Sequence, residues 1–182
     1  MKTSRAMRVI KTEYKGIKYR SRTEARWAVF MDNAECPFEY EPEGLDLGDA
    51  GCYIPDFYLP MVDKFLEIKP SVMVEGRESP VEELAKQSGK DVILMFGTPQ
   101  VPELGDERFW ENGVLYCGAG GVDYGYWFCC CPHCGMVDIQ FNGRADRINC
   151  RCPRSEHGDK GYNAHAAKLM QSYYAANNAF RF

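Results

Sequence analysis

The sequence predicts an α/β fold: a mixed-sheet core flanked by helices, then a small cysteine-rich module and a terminal helix. Three observations predict it. Two short apolar segments flank a turn in "CYIPDFYLPMVDKFLEIKP". A capped helical segment and a fully apolar run, "SPVEELAKQSGKDVILMFG", follow it in strand–helix–strand order. Six of the nine cysteines fall between positions 129 and 152.

The elements follow in order. "IKTEYKGIKYRS" reads as a hairpin around Lys15-Gly16. "RTEARWAVFMDNA" is a helix with Ser21 as N-cap and Glu24 three residues later, a capping box. Ala25, Ala28 and Val29 face inward on it, Trp27, Phe30 and Met31 widen the stripe, and Cys36-Pro37 ends it. "FEYEPEGLDL" is an extended acidic segment. "CYIPDFYL" and "KFLEIK" are strands with Pro60 to Asp63 as the turn. Ser79 caps the next helix, Pro80 opens it and Gly89 closes it. "DVILMFG" then reads as a buried strand parallel to the strand carrying Glu67. From Thr98 to Phe128 the many glycines and prolines read as a connector with short strands. "GYNAHAAKLMQSYYAANNAFRF" reads as a helix from about Asn163 that covers the cysteine module.

The composition, 45% hydrophobic and 26% charged, is globular rather than disordered. No apolar run approaches the roughly 18 residues of a membrane span, and the basic start lacks the apolar core of a secretory signal. Cysteines without an export signal indicate a reducing, cytoplasmic compartment, with metal binding favoured over disulfides. The net charge of −4 is segregated: nine basic residues against two acids in 1–30, eight acids and no Lys or Arg in 31–60, seven basic residues against three acids in 141–182. Basic ends around an acidic centre suit a protein that grips phosphates at its periphery and cations in its middle.

Asp56, Glu67 and Lys69 carry the chemistry. If Pro60 faces Asp63, Asp56 faces Glu67 across the ladder, and period two puts Glu67 and Lys69 on one face. Directly opposed Cβ atoms stand roughly 5 Å apart, so the two carboxylates can share a hard cation such as Mg²⁺. The ammonium can stabilise an attacking water or the charge that builds on a phosphate, the residue set of metal-dependent phosphodiester cleavage. The competing reading is a hairpin whose outer face carries ordinary surface charges.

Cys131 and Cys134 form a C-x2-C-G knuckle, and Cys150 and Cys152 can complete a four-thiolate Zn²⁺ site. C-x-C is less usual, so Cys129, Cys130, His133 and His157 stay open as substitutes. A β-ribbon this small scarcely folds without a metal.

On Pro55-Asp56 and Glu67-Ile68-Lys69, with Glu24 on the preceding helix, the core resembles the PD-(D/E)XK nuclease superfamily of restriction-endonuclease-like fold. "YRSRTEARWAVFMD", "YIPDFYLP" and "FLEIKP" resemble phage-encoded nucleases that end in a cysteine-rich zinc unit. The layout is also similar to phage Holliday-junction resolvases and transposon end-cleaving nucleases. The resemblance covers 13–97 well and the cysteine module loosely. It implies a nuclease core over 1–100, a connector over 101–127, and a zinc-ribbon module with its helix over 128–182. It implies a Mg²⁺- or Mn²⁺-dependent DNA endonuclease in the host cytoplasm, acting on branched or recombination and repair intermediates. Asp56 and Glu67 would ligate the ion with the Ile68 carbonyl, Lys69 would orient the water, and Glu24 would extend the metal site. The capping-box role competes for Glu24. Lys18, Tyr19, Arg20 and Arg22, and on the zinc unit Arg144, Arg147 and Arg151, would contact DNA phosphates. Asp91 stands where a QxxxY element counted from Gln87 would have tyrosine, which argues against processive exonuclease action. Double-strand cutting would favour a homodimer. The alternatives are a non-catalytic zinc-ribbon module that binds DNA or protein, and a regulator of a host enzyme on a borrowed nuclease fold.

Overall fold

The chain opens on the predicted hairpin in the computed structural model, which describes residues 10–70, 80–103, 113–152 and 163–181. Strands β1 (Thr12–Tyr14) and β2 (Ile17–Tyr19) pair antiparallel around Lys15 and Gly16. Both turn residues have positive φ, 49° and 80°, as a two-residue hairpin turn requires. Helix α1 (Arg22–Asn33) follows at once, and the Ser21 hydroxyl accepts the Glu24 N–H at 3.1 Å. Its inward stripe is the predicted one. It stops at Asn33, three residues before the predicted Cys36 stop. The Cys36 N–H bonds the Met31 carbonyl, the Glu35 N–H bonds Asp32, and Glu35 turns left-handed at φ 52°. That is a Schellman cap, which closes the helix before Pro37 is reached.

The predicted strand "CYIPDFYL" divides in two. After β3 (Glu39–Tyr40), strand β4 (Leu45–Asp46) pairs with β5 (Cys52–Tyr53) in a ribbon of its own. Ile54 and Pro55 interrupt, and β6 (Phe57–Leu59) starts afresh. Pro55 has no N–H for a ladder and restricts Ile54 before it. Strand β7 (Lys64–Lys69) pairs with β6 in the predicted register: Leu59 faces Lys64, Tyr58 faces Phe65 and Phe57 faces Leu66. One further step along that register sets Asp56 opposite Glu67.

Helix α2 (Pro80–Ser88) leads to β8 (Asp91–Phe96), which pairs parallel with β7, the predicted crossover. The predicted cap Ser79 lies outside the described residues. The sheet then continues where a connector was expected. Strands β9 (Gly113–Tyr116) and β10 (Val122–Tyr124) extend it to the order β10-β9-β8-β7-β6-β3.

The cysteine-bearing ribbon, β11 (Tyr126–Cys130) and β12 (Val137–Phe141), is not a separate unit. Phe128, Val137 and Ile139 join one core with Trp27, Phe30, Leu66 and Ile93. Helix α3 (Ala167–Asn178) lies against α1, the Tyr173 ring 4.5 Å from the Phe30 ring, and also reaches the ribbon, where Lys168 Nζ donates to the Gly135 carbonyl of the knuckle at 3.2 Å. Leu169, Tyr173 and Ala176 form the stripe that meets the apolar face of α1, in one cluster with Phe128, Cys130 and Val137 of the ribbon. On the other sheet face α2 packs Val81, Leu84 and Ala85 on Phe65, Val92 and Leu94. A buried ion pair, Lys64 Nζ to Asp138 Oδ1 at 3.2 Å, ties β7 to β12.

Phe30 touches the rings of Trp27, Phe128 and Tyr173, and so joins α1, the ribbon and α3. Phe30→Ala is expected to cost about 3–5 kcal/mol and lower the thermal midpoint by roughly 10 °C. Circular dichroism of the helices and fluorescence of the buried tryptophans should report one shared transition.

Candidate functional site

Asp56 and Glu67 meet at the open end of the β6–β7 hairpin. Ile54-Pro55 lifts the chain off the ladder, so side chains take over the pairing. The Asp56 N–H donates to Glu67 Oε2 at 3.2 Å, and the Ile68 N–H donates to Asp56 Oδ2 at 2.8 Å. Glu67 Oε1 accepts from the Tyr53 hydroxyl and from Lys69 Nζ, each at 2.6 Å. Both carboxylates are buried, 4% and 3% exposed, although the cleft itself is open. Arg20, Glu24, Tyr53, Asp56, Glu67, Ile68 and Lys69 line this cleft of about 540 Å³. The structure therefore brings together all five residues that the sequence assigned to catalysis and the hard-metal site.

Glu24 reaches the cleft from the first turn of α1. Its Oε1 accepts the Ser21 hydroxyl at 2.7 Å and its Oε2 the Tyr40 hydroxyl at 2.7 Å. It is both the partner of the helix cap Ser21, three residues on, and a wall of the cleft. The carboxylates of Glu24, Asp56 and Glu67 do not converge as tightly as the thiols described below. Among the described residues those thiols alone form a close-set group of three or more metal-ligating side chains.

Arg20 stands among the acids. Its guanidinium donates to Asp56 Oδ1, lies 2.7 Å from Glu41 Oε1 and 3.9 Å from Glu24 Oε2. Partial burial pulls its pKa down, but Asp56 and Glu41 outweigh this and hold the charge on it. Burial and then the Glu67 charge push the Asp56 carboxyl up to about 7, against the Ile68 N–H and Arg20, which favour the anion. Burial and the Glu67 charge push the Tyr53 hydroxyl up, so it stays a donor. Four carboxylates, Glu24, Glu41, Asp56 and Glu67, gather around two cations, Arg20 and Lys69, a formal balance of −2. An acid whose pKa burial and then a second acid push up is a site that a divalent cation would relieve. The all-oxygen donor set suits a hard ion.

The second cluster is sulfur. Cys131, Cys134, Cys150 and Cys152 place their Sγ atoms within 4.8 Å of one another. Cys131 and Cys150 are 3.8 Å apart, and thiolates about 2.3 Å from a tetrahedral zinc would stand about 3.8 Å apart. The cluster could bind zinc. The knuckle closes with the Gly135 N–H on the Cys131 carbonyl at 3.0 Å and Gly135 at φ 72°. Burial raises the Cys131 thiol, but N–H groups of Cys134 and His133 and the facing thiols override it and bring it to about 6. Cys129 and Cys130 turn to the Asp138 and Cys131 carbonyls, at 3.6 Å each, and His157 lies outside the described residues. Arg151 is exposed, so an arginine fits inside C-x-C.

The residues expected to hold DNA phosphates are placed unevenly. Lys18 is exposed. Tyr19 is a correction: it is 1% exposed, because the rings of Tyr40 and Phe57 pack on it, 4.4 and 6.4 Å away between centres. Arg20 is engaged in the acid cleft. Arg22 is half-buried. Arg144 pairs with Asp146 at 2.6 Å, Arg147 lies 5.1 Å from the Phe141 ring centre, and Arg151 is exposed. Sequence reasoning missed Tyr40, Glu41 and Tyr53. For Tyr40 and Glu41 the only signal was an aromatic residue set among acids in "FEYEPE".

Gln87 bonds the Leu47 carbonyl and Glu83 on α2 and takes no part in the cleft. No helix among the described residues is long and apolar enough to cross a membrane. Comparison with known protein families, with curated proteins and with solved structures finds no match.

Proposed function

We propose that this chain is a divalent-metal-dependent DNA endonuclease on a restriction-endonuclease-like core, with a structural zinc in its cysteine ribbon. One observation carries the reading: the buried Asp56–Glu67 pair, with Lys69 on Glu67, at the wall of an open cleft. Asp56 and Glu67 would hold Mg²⁺ or Mn²⁺, with the Ile68 carbonyl beside them. The ion, when bound, would polarise a phosphate oxygen and lower the pKa of a bound water.

The chain's own groups supply the rest. Tyr53 orients Glu67 by donating to it. Lys69 Nζ, half-exposed beside Glu67, would orient the attacking water and offset charge on the phosphate. Glu24 would add an acid from the helix side. Exposed Lys18 and Arg151 would grip the backbone without reading bases. Water adds to phosphorus, the bridging P–O bond breaks, and the leaving oxygen takes a proton. Branched or otherwise distorted DNA is the proposed substrate class, and a pair of chains would cut both strands.

The zinc-loaded protein should cut DNA with Mn²⁺ or Mg²⁺, assayed on linear, circular, single-stranded and four-way-junction substrates. Glu67→Ala and Lys69→Ala should each reduce cutting by about 10³-fold or more while the circular dichroism spectrum is unchanged. Cutting that persists in both variants would reject this site. Salt-sensitive binding with no cleavage of any substrate would favour a non-catalytic ribbon module instead.

A further inference from the structure

Arg20 occupies the place where a cation would sit. Both Glu67 oxygens are held by fixed groups of the chain, and Asp56 Oδ2 is held by the Ile68 N–H. Asp56 Oδ1 accepts from the Arg20 guanidinium. The Asp56 side chain is 5% exposed, whereas that of Arg20 is 51% exposed. A half-solvated side chain therefore reaches into the cleft and covers one buried anionic oxygen. Its second arm, Nε, is anchored on Glu41 at the rim, at 2.7 Å.

We infer that Arg20 is an exchangeable internal counter-cation, which neutralises Asp56 in the metal-free chain and gives up Asp56 Oδ1 when a divalent ion binds. The inference rests on the reading of this cleft as a metal site. A buried carboxylate without a partner is costly, so a chain that must fold before it is loaded needs a stand-in. The stand-in must give up Asp56 Oδ1, because it occupies the very oxygen that the ion would take and repels an ion placed there. Arginine suits the exchange better than lysine. Its planar fork contacts Asp56 and Glu41 at once, so it can release one and stay tethered by the other. Held on Glu41 at the cleft mouth, it would then face an incoming phosphate.

Such exchange lowers the apparent metal affinity by the fraction of chains in which Arg20 has let go. Mn²⁺ binding to the zinc-loaded protein, read by electron paramagnetic resonance, tests this without DNA. Arg20→Gln should bind Mn²⁺ about tenfold tighter than the wild type. Arg20→Lys, which keeps charge but loses the fork, should fall between them. Without Mn²⁺ the Arg20→Gln midpoint should lie below that of the wild type, and saturating Mn²⁺ should close that gap. Equal Mn²⁺ affinity in wild type and Arg20→Gln, with binding lost in Glu67→Gln, would overturn the counter-cation and leave the metal site standing. No Mn²⁺ binding in either chain would reject the metal site itself, and the counter-cation with it.

Discussion

If the four thiols hold zinc, stripping it, or replacing Cys131 with Ser, is expected to unfold the core and not merely the ribbon. A four-thiolate site contributes on the order of 10 kcal/mol to folding, comparable with the whole stability of a domain. Bound zinc would stabilise two five-residue strands, too few to stand alone. The ribbon is also built into the main core. Phe128 lies against Phe30 and Trp27, with ring centres 4.7 and 5.7 Å away. Val137 and Ile139 fill the same cluster, and the Lys64–Asp138 ion pair anchors β12 to the strand that bears Glu67. If the ribbon frays, Asp138 and Lys64 lose each other in a buried setting, at a cost of several kcal/mol. A strong zinc chelator should therefore lower the thermal midpoint by well over 10 °C, roughly what loss of several kcal/mol produces at this size. Helix ellipticity and tryptophan fluorescence should fall together. A ribbon that melts alone, with α1 and α3 intact, would show the thiols to be a detachable module.

The parts of this architecture that local chemistry decides were legible in the sequence. The β6–β7 register was readable because a turn from Pro60 to Asp63 permits one pairing that keeps the apolar faces inward. Asp63 takes the left-handed conformation, φ 52°, that the turn needs. The thiol set was readable because C-x2-C-G describes its own geometry. What tertiary contact decides was not legible. Tyr19, set between Lys18 and Arg20, looks like a surface residue until Tyr40 and Phe57 close over it. Gly113 and Gly118 read as loop punctuation, yet they are close-packing positions. A Cβ on Gly113 would come within 1.7 Å of the Tyr126 carbonyl oxygen, and one on Gly118 within 2.3 Å of Gly89. Glycine there lets β9 join the sheet, and the same glycine hid the strand. Arg20 was read as a phosphate contact because the sequence cannot say that β2 ends over an acid cleft.

Asp56→Asn is expected to abolish cleavage and, at the same time, to stabilise the metal-free chain in alkaline buffer. The two effects have one origin. The folded carboxyl titrates near 7, whereas its ordinary value is 3.8. Between those values the folded state keeps a proton that the unfolded chain has lost. Stability therefore falls as pH rises through that window, and the loss is complete above about pH 7. Asparagine carries no charge and retains an oxygen that can accept the Ile68 N–H, so the variant escapes the loss. Its midpoint should exceed that of the wild type by roughly 5 °C at pH 8 without divalent ions, and the difference should vanish near pH 4. Mn²⁺ should reverse the order, because only the wild type gains binding energy from the ion. Cleavage by the variant should drop about 10³-fold or more at every pH. A wild-type chain that is the more stable one at pH 8 without metal would mean that Arg20 already compensates Asp56 in full. A variant that still cuts would remove Asp56 from the chemistry. The joint outcome, a more stable but inactive chain, is what a cleft strained toward a cation should give, since a charged face with no task gains neither activity nor strain from its acids.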